Sequence, residues 1–240
     1  MTKTIRADKL LSSLGLSSRR GIEQFLIHNN VSADGKRIIQ HGERVNIRAK
    51  ITVNGKELSK PKKVYFLLNK PKGIISTSND EMGRKNVVSI VKTSERIYPV
   101  GRLDRDTHGL LILTNDGELT NQLIHPKYHI GKTYKLTIKG QVAPTVITKL
   151  IEGVPLEDGL TAKSKCTVVQ RRKDVTILEL TIFEGKKRQI RRMCEALKLT
   201  LIDLERIAFG GITLEGLKLG EYRELTGKEV ENLKKLLHGS

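Results

Sequence analysis

Strand-like segments recur through the second part of the chain in an irregular order with helical segments, and this order constrains the fold most. Apolar or alternating runs occur at KVYFLL, KTYKLTIKG, CTVVQRR, VTILELTIFEG and LTLIDLERIAFGG, and helical patterns at PTVITKLIEG and RQIRRMCEALK. A doubly wound parallel sheet would instead require a regular alternation of strands and helices. The sequence therefore predicts an α+β fold on a mostly antiparallel, mixed sheet.

The first sixty residues form a separate predicted unit, followed by the charged, turn-like segment LSKPKK. Asp-Gly and Asn-Gly dipeptides lie between short β-branched runs, a pattern typical of tight hairpins. Basic side chains, Lys36 and Arg37 among them, decorate these hairpins. We predict two domains, residues 1–60 and residues 61–240.

A helix is predicted within SSRRGIEQFLIHNN, with Ser17 or Ser18 as its cap and Asn29 closing it in the left-handed conformation. Arg19 and Arg20 would then lie in its first turn, where the helix dipole disfavours cations. Two interpretations stay open: solvated arginines, or a phosphate site formed by the arginines and free amide groups.

The chain is strongly basic, with 44 Lys and Arg against 26 Asp and Glu. This imbalance favours a polyanionic partner, nucleic acid ahead of an anionic membrane surface. No run approaches the roughly 20 apolar residues that span a bilayer, and the first thirty residues lack a signal-peptide apolar region. We therefore expect a soluble, cytoplasmic protein with no membrane partner.

The sequence favours chemistry without a metal or a cofactor. Cys166 and Cys194 lie far apart without a CxxC motif, so we expect buried reduced thiols rather than a disulfide or a metal site. Neither a GxGxxG nor a GxxxxGK[ST] motif occurs, so no nucleotide cofactor loop is indicated.

The segment YPVGRLDRDTHGLLILTNDGEL carries the first half of a candidate active site. Two predicted strands flank an irregular polar loop, a common location for reactive groups. Asp104 and Asp106 fit either surface salt bridges or catalysis, whereas Asp116 belongs to the Asn-Asp-Gly turn. A paired-carboxylate hydrolase is a further alternative, which the positive charge of the chain disfavours.

The segment FEGKKRQIRRMCEALK carries the second half. Ile190, Met193, Cys194 and Leu197 follow helical spacing and form one apolar stripe. Arg191 fits two roles: a partner of Glu195 one turn later, or an arginine that holds a partly buried carboxylate ionised. The other cations at the start of the helix would bind phosphates.

Two resemblances bring these features together. RADKLLSSLGLSSRR followed by VSADG resembles the small alpha-L RNA-binding domain. GRLDRDTHGLLILTNDG resembles the signature of the RsuA/RluB/RluF group of ribosomal-RNA pseudouridine synthases. LNKPKG, KTY, EGKKRQIRRM and GGITLEGLKLGEYRELT follow in the order of that group, so the resemblance covers nearly the whole chain.

The resemblance implies roles for individual residues. Asp104 would be the catalytic aspartate, Tyr134 the ring that packs against the target uracil, and Arg191 the salt-bridge partner of Asp104, with Ile190 beside that pair. His108 is expected to be noncatalytic. The group needs no cofactor and no metal. The residues predicted to bind RNA are Arg19, Arg20, Lys36, Arg37, Lys70, Arg102, Arg105, Lys187, Arg188 and Arg192.

The implied function is the isomerisation of a specific uridine to pseudouridine in ribosomal RNA, with the target base flipped out of its stack. The partner would be large-subunit rRNA or its assembly precursor, and the family expectation is a monomer. Two alternatives stay open: a small-subunit rRNA target, and a noncatalytic RNA-binding protein of ribosome assembly.

Overall fold

The structure, a computed structural model, describes residues 3–78 and 83–237. The chain divides into two compact units. Unit one comprises Met1–Val64 with the short segments Thr93–Arg96 and Asn115–Gly117, and unit two comprises the remaining residues. The described part of the chain contains no helix that is both long and apolar enough to cross a membrane.

Unit one is a small α+β unit built from short elements. Its helices and strands are β1 (Thr4–Arg6), α1 (Ala7–Ser13), α2 (Ile22–His28), β2 (Val31–Ala33), β3 (Lys36–Arg37), β4 (Arg44–Asn46), β5 (Ile51–Val53) and β6 (Lys56–Glu57). Strands β3, β2, β5 and β6 form one antiparallel sheet, and β1 pairs with β4. Leu11, Ile22 and Val31 are fully buried and join both helices to the sheet.

The predicted hairpin turns of unit one are confirmed, and the predicted start and end of its second helix are wrong. Asp34–Gly35 and Asn54–Gly55 all have positive φ, as the tight turns require. Helix α2 begins only at Ile22, because the Ser18 hydroxyl accepts the Gly21 N–H in a turn that precedes it. Arg19 and Arg20 therefore precede the helix, and Asn29 is extended rather than left-handed.

Unit two contains a mixed, mostly antiparallel sheet, as predicted. Its strands are β7 (Tyr65–Lys70), β8 (Tyr98–Pro99), β9 (His108–Thr114), β10 (Lys132–Lys139), β11 (Pro155–Leu156), β12 (Gly159–Leu160), β13 (Lys165–Arg172), β14 (Val175–Ile182), β15 (Leu201–Phe209), β16 (Ile212–Thr213) and β17 (Tyr222–Glu224). Its helices are α3 (Gly117–Ile124, of which Gly117 belongs to unit one), α4 (Pro144–Glu152), α5 (Gln189–Ala196) and α6 (Gly227–Leu236), with 3-10 turns at Val88–Ile90 and Pro126–Tyr128.

The main sheet has the strand order β13-β14-β10-β15-β9-β7-β17, in which β16 also pairs with β15 and β8 with β9, and β11-β12 form a separate hairpin. Within the described residues, β9 and β15 are the one parallel pair, through His108↔Glu205 and Gly109↔Arg206. A Cβ on Gly109 would lie 2.3 Å from the Arg206 carbonyl oxygen, so only glycine permits this approach. The junction fixes the chain immediately after the predicted catalytic loop.

Two apolar clusters fill unit two. Helices α4 and α5 cover one part of the sheet, where Met193 and Cys194 lie against β10 and β14. The predicted apolar stripe of α5 is thus confirmed, and Cys166 and Cys194 are both free and buried, as expected. A second cluster packs α3 and α6 around β7 and β9, with Leu67 and Leu233 fully buried.

Candidate active site

Residues 100–107 form the loop that carries Asp104, and two paired strands hold its ends. Strand β8 pairs with the end of β9 through Pro99↔Leu113, and the chain returns to the sheet after the loop at His108, the first residue of β9. Within the loop, Leu103 is buried and the Thr107 N–H donates to the Asp104 carbonyl at 3.1 Å. The Asp104 side chain keeps 34% of its surface exposed, enough for a ligand to reach the carboxylate.

Lys70 holds this loop from the interior of the protein. Its Nζ donates to four backbone carbonyls, those of Pro71 (3.1 Å), Asp104 (3.2 Å), Arg105 (3.4 Å) and Thr107 (2.8 Å). The side chain is fully buried, and burial lowers its pKa to about 8. The prediction that Lys70 binds RNA is therefore wrong, because an ammonium group enclosed by carbonyls cannot contact a phosphate.

Two arginines of the α5 segment face the same oxygen of Asp104. Arg191 Nε lies 3.8 Å from Asp104 Oδ2, and Arg188 Nη1 lies 3.9 Å from it. Arg191 also donates through Nη2 to Thr107 Oγ1 at 3.1 Å and to the Asp106 carbonyl at 3.3 Å. Arg191 is thus tied to the two residues at the end of the loop, and its guanidinium group faces the Asp104 carboxylate.

The start of α5 is fixed by a residue that sequence reasoning missed. Gln189 is buried, its Nε2 donates to Glu184 Oε1 at 2.7 Å, and its Oε1 accepts the Lys186 N–H at 3.1 Å. Arg188 directly before it has φ of +50°, in the left-handed region that non-glycine residues seldom adopt. The glutamine had no sequence signal apart from its place in the motif, because its polarity suggests an exposed position.

Apolar side chains and Tyr134 line the pocket next to Asp104. Tyr134 lies on β10, is partly buried, and shares the pocket with Ile182, Ile190 and Leu204. Ile190 is almost fully buried at the first turn of α5. The pocket therefore combines apolar side chains and an aromatic ring, which suit a planar, uncharged ring, with one carboxylate. Four cationic side chains also line it: Arg102, Lys186, Arg188 and Arg191.

Two further buried cations lie on β10 and β15. Arg206 is buried and its Nε donates to the Leu110 carbonyl at 2.7 Å, while its Nη2 is buried without a hydrogen-bond partner in the described residues. Lys132 is also buried, over the Phe209 ring at 5.8 Å, and burial lowers its pKa to about 8. Arg206 thereby joins β15 to β9 at the parallel junction.

His108 occupies the first position of β9, directly after the loop that carries Asp104. Its Nε2 lies 2.9 Å from Asp203 Oδ2, and Lys72 forms an ion pair with the same carboxylate. The Lys72 and His108 contacts hold the pKa of Asp203 below its usual value despite an opposing effect of burial. Because His108 pairs with Asp203 on the neighbouring strand β15, its geometry agrees with a structural role.

Apart from the buried Lys70, the residues predicted to bind RNA fall into two groups. Arg19 pairs with Asp8 at 3.0 Å in unit one, and Arg192 makes a bidentate pair with Asp158 at 2.9 and 3.1 Å in unit two. Both guanidinium groups are therefore engaged with protein carboxylates. The other members with exposed side chains are Arg20, Lys36, Arg37, Arg102, Arg105, Lys187 and Arg188.

Unit two thus brings together the residues predicted for chemistry. Asp104, Tyr134, Ile190 and Arg191 line one pocket, together with Arg102 and Arg188 from the predicted RNA-binding set. The remaining members of that set do not line it. No group of metal-ligating side chains occurs among the described residues.

Comparisons with known proteins agree on one family. Residues 64–196 match the family model described as RNA pseudouridylate synthase. The chain is 44% identical over 238 residues to the ribosomal large subunit pseudouridine synthase B of Bacillus subtilis, covering 98% of each chain. It is 35% identical to the dual-specificity RNA pseudouridine synthase RluF of Escherichia coli, covering 99% of this chain and 81% of that protein.

A solved structure, described as a pseudouridylate synthase, extends the agreement to the fold. It superimposes with a TM-score of 0.70 at 29% identity, covering 95% of this chain and 99% of that chain. Both the loop motif that contains Asp104 and the α5 motif lie within the region matched by the family model. The chain therefore belongs to the RNA pseudouridine synthase family, within the RsuA/RluB/RluF group.

Proposed function

We propose that this enzyme converts one uridine of large-subunit ribosomal RNA to pseudouridine, with Asp104 as its catalytic carboxylate. The observation that carries the proposal is the pocket in which Asp104 faces two arginines beside Tyr134. The names of relatives support the substrate class, since the Bacillus subtilis protein is a ribosomal large subunit enzyme. The net charge of +18 is suited to a polyanionic substrate.

The reaction is an isomerisation in which atoms and charge balance. The bond between ribose carbon 1′ and uracil nitrogen 1 breaks, the held uracil rotates, and carbon 5 bonds to carbon 1′. Carbon 5 then loses its proton to solvent, and nitrogen 1 gains one. Asp104 serves either as a nucleophile on the ribose or the base, or as the base that removes a ribose proton, and both roles need an ionised carboxylate.

The target uridine must leave its stack to reach Asp104, at a cost of a few kcal/mol. Tyr134 supplies a ring surface for the extruded uracil, and Ile182 and Leu204 exclude water around it. Cationic contacts to the RNA backbone offset the remaining cost. We assign these contacts to Arg102, Arg105 and Lys187 in unit two.

We also propose that unit one is an RNA-binding domain of the alpha-L type. Arg20, Lys36 and Arg37 are exposed, and the last two lie together on β3. Basic side chains on a small rigid sheet can contact phosphates without reading bases.

The test of the proposed chemistry is the Asp104→Asn variant. Tritium release from large-subunit rRNA labelled at uracil carbon 5 should fall at least about a thousandfold, because the amide provides neither a nucleophile nor a base. RNA binding, measured by filter retention, should persist. Asp106→Asn is the matched control, because its side chain is exposed in the same loop and should leave most activity. Substantial tritium release by Asp104→Asn would exclude the proposed role.

The target itself is identified by carbodiimide mapping and primer extension of rRNA from a strain that lacks the gene. Loss of one pseudouridine from large-subunit rRNA is the expected result. Loss from small-subunit rRNA would move the target to the other subunit. A wild-type protein that binds rRNA but releases no tritium would instead support a noncatalytic role in ribosome assembly.

A further inference from the structure

The two arginines that face Asp104 differ in how firmly the protein holds them. The Arg191 side chain is 19% exposed and is anchored by Thr107 and the Asp106 carbonyl. The Arg188 side chain is 46% exposed, and within the described residues its one ion pair is with Asp104. Arg191 is therefore a fixed cation, whereas Arg188 can leave Asp104 without breaking another contact.

The carboxylate of Asp104 is shared between the two arginines without a close contact to either. Its Oδ2 lies 3.8 Å from Arg191 Nε and 3.9 Å from Arg188 Nη1, beyond hydrogen-bond distance in both cases. Arg191 Nε is buried and has no hydrogen-bond partner in the described part of the chain. A buried donor left unpaired favours any movement that supplies an acceptor, and Asp104 is the acceptor it faces.

Arg188 has a left-handed backbone conformation and an exposed side chain. The left-handed φ of +50° sets it apart from the helix that begins at the next residue, and Ile190 is buried two positions later. Arg188 lines the pocket together with Asp104, and its side chain is 46% exposed. A phosphodiester next to a target nucleotide in this pocket would therefore lie within reach of the guanidinium group.

We propose that Arg188 is an exchangeable counter-ion of Asp104, and this inference rests on the proposed function. In the free enzyme Arg188 pairs with Asp104, and on substrate binding it transfers to a phosphate of the RNA backbone beside the target uridine. Asp104 then accepts a hydrogen bond from Arg191 Nε, and its carboxylate becomes accessible to the uridine. Free uridine, which carries no phosphate, cannot displace Arg188, so the exchange selects nucleotides within a chain.

The exchange predicts that Asp104 and the RNA compete for Arg188, which a double-mutant cycle measures. Dissociation constants for a large-subunit rRNA transcript are compared for the wild type, Asp104→Asn, Arg188→Gln and the double variant, at low salt. Asp104→Asn should tighten binding about fourfold when Arg188 is present, the size of one partly exposed ion pair. In the Arg188→Gln background the same change should have less than about half that effect.

Matched variants separate competition from the general removal of a negative charge. Lys187→Gln removes the adjacent exposed cation, which forms no ion pair with Asp104, so the gain from Asp104→Asn should persist in that background. Arg188→Lys should keep the gain, because an ammonium group can also pair with either anion. Thermal unfolding of each variant verifies folding, because Arg188 has an unusual backbone conformation.

An equal gain in the Arg188→Gln and Lys187→Gln backgrounds would overturn the proposal, and so would no gain in the wild-type background or loss of the gain in Arg188→Lys. Wild-type tritium release on the same transcript separates this inference from the proposed function. If the wild type releases tritium but the effects of the two substitutions on RNA binding are additive, only the proposed role of Arg188 is rejected. An absence of release rejects the proposed function whatever the cycle gives.

Discussion

The loop of unit two that carries Asp104 and the hairpins of unit one hold their polar side chains in opposite ways. In the loop, residues 34 to 87 positions apart in sequence fix the geometry, since Lys70 and Arg191 both bind the segment around Asp104. In the hairpins, adjacent pairs such as Asp34–Gly35 set the turn and leave Lys36 exposed. A buried polar contact is costly to lose and a surface cation is not. The loop should therefore respond to substitution far more strongly.

Among substitutions other than that of Asp104 itself, loss of the Lys70 ammonium group should give the largest effect. Lys70→Met keeps the length of the side chain but removes all donors to the four carbonyls around Asp104. Displacement of the carboxylate by about 1 Å would lower tritium release about a hundredfold. Lys72→Met is the control, because Lys72 is half exposed and pairs with Asp203 instead. Equal losses of tritium release in both variants would contradict the inference that Lys70 fixes the loop around Asp104.

The parallel junction of β9 and β15 should be the next most sensitive position. Gly109→Ala would place a Cβ 2.3 Å from the Arg206 carbonyl oxygen at φ of +102°, so unfolding free energy should fall by about 3 kcal/mol. Gly140→Ala is the matched control, because Gly140 also has positive φ but nothing lies within 4 Å of its added Cβ. Urea unfolding should give a loss of about 1 kcal/mol for the control.

Substitutions on the hairpins of unit one should produce a graded loss of RNA affinity with no loss of chemistry. In the double variant Lys36→Gln, Arg37→Gln, two exposed cations of β3 are removed. The plot of log affinity against log salt concentration has a negative slope, and its magnitude should decrease by about 1.4 to 1.8. Tritium release at saturating RNA should stay unchanged. The double variant Lys3→Gln, Lys9→Gln removes the same charge elsewhere in unit one and should leave the slope nearly constant.

Helix α6 extends the comparison, because it is a local motif within unit two. Glu229 and Thr226 form a capping box, and the Arg223 hydrogen bonds lower the pKa of Glu229 to about 2. Since the pKa in the folded state lies below the ordinary value of 4.5, the stabilisation is complete above pH 4.5 and is lost as pH falls towards 2.

The Glu229→Gln variant should therefore lose about 1 kcal/mol of unfolding free energy near neutral pH, and its difference from the wild type should shrink below pH 4.5. Glu231→Gln, on the exposed side of the same helix, should change stability less. A pH-independent difference would show that Glu229 acts through packing and not through its charge.

The contrast between contacts of adjacent residues and contacts of residues distant in sequence also explains how much could be predicted from the sequence. Features set by neighbouring residues were predictable, as with the Asn54–Gly55 turn and the buried stripe that contains Met193. The pairing of Asp104 with Arg191 came from the family resemblance, because no local pattern relates positions so far apart. Lys70 was misjudged for the same reason: in Asn-Lys-Pro-Lys-Gly nothing distinguishes the buried lysine from Lys72. Its burial depends on carbonyls contributed by another segment.

The buried thiol of Cys194 offers a way to measure how often helix α5, which carries Arg191, opens. Cys194 lies on α5 one turn after Arg191, is 1% exposed, and has a pKa raised to about 12 by burial. A thiol reagent can therefore react with it only when α5 separates from the sheet, so the rate of labelling measures how often the helix detaches. The labelling rate of Cys194 thus reports how often the helix that carries Arg191 opens, and rRNA bound at the pocket should lower that rate.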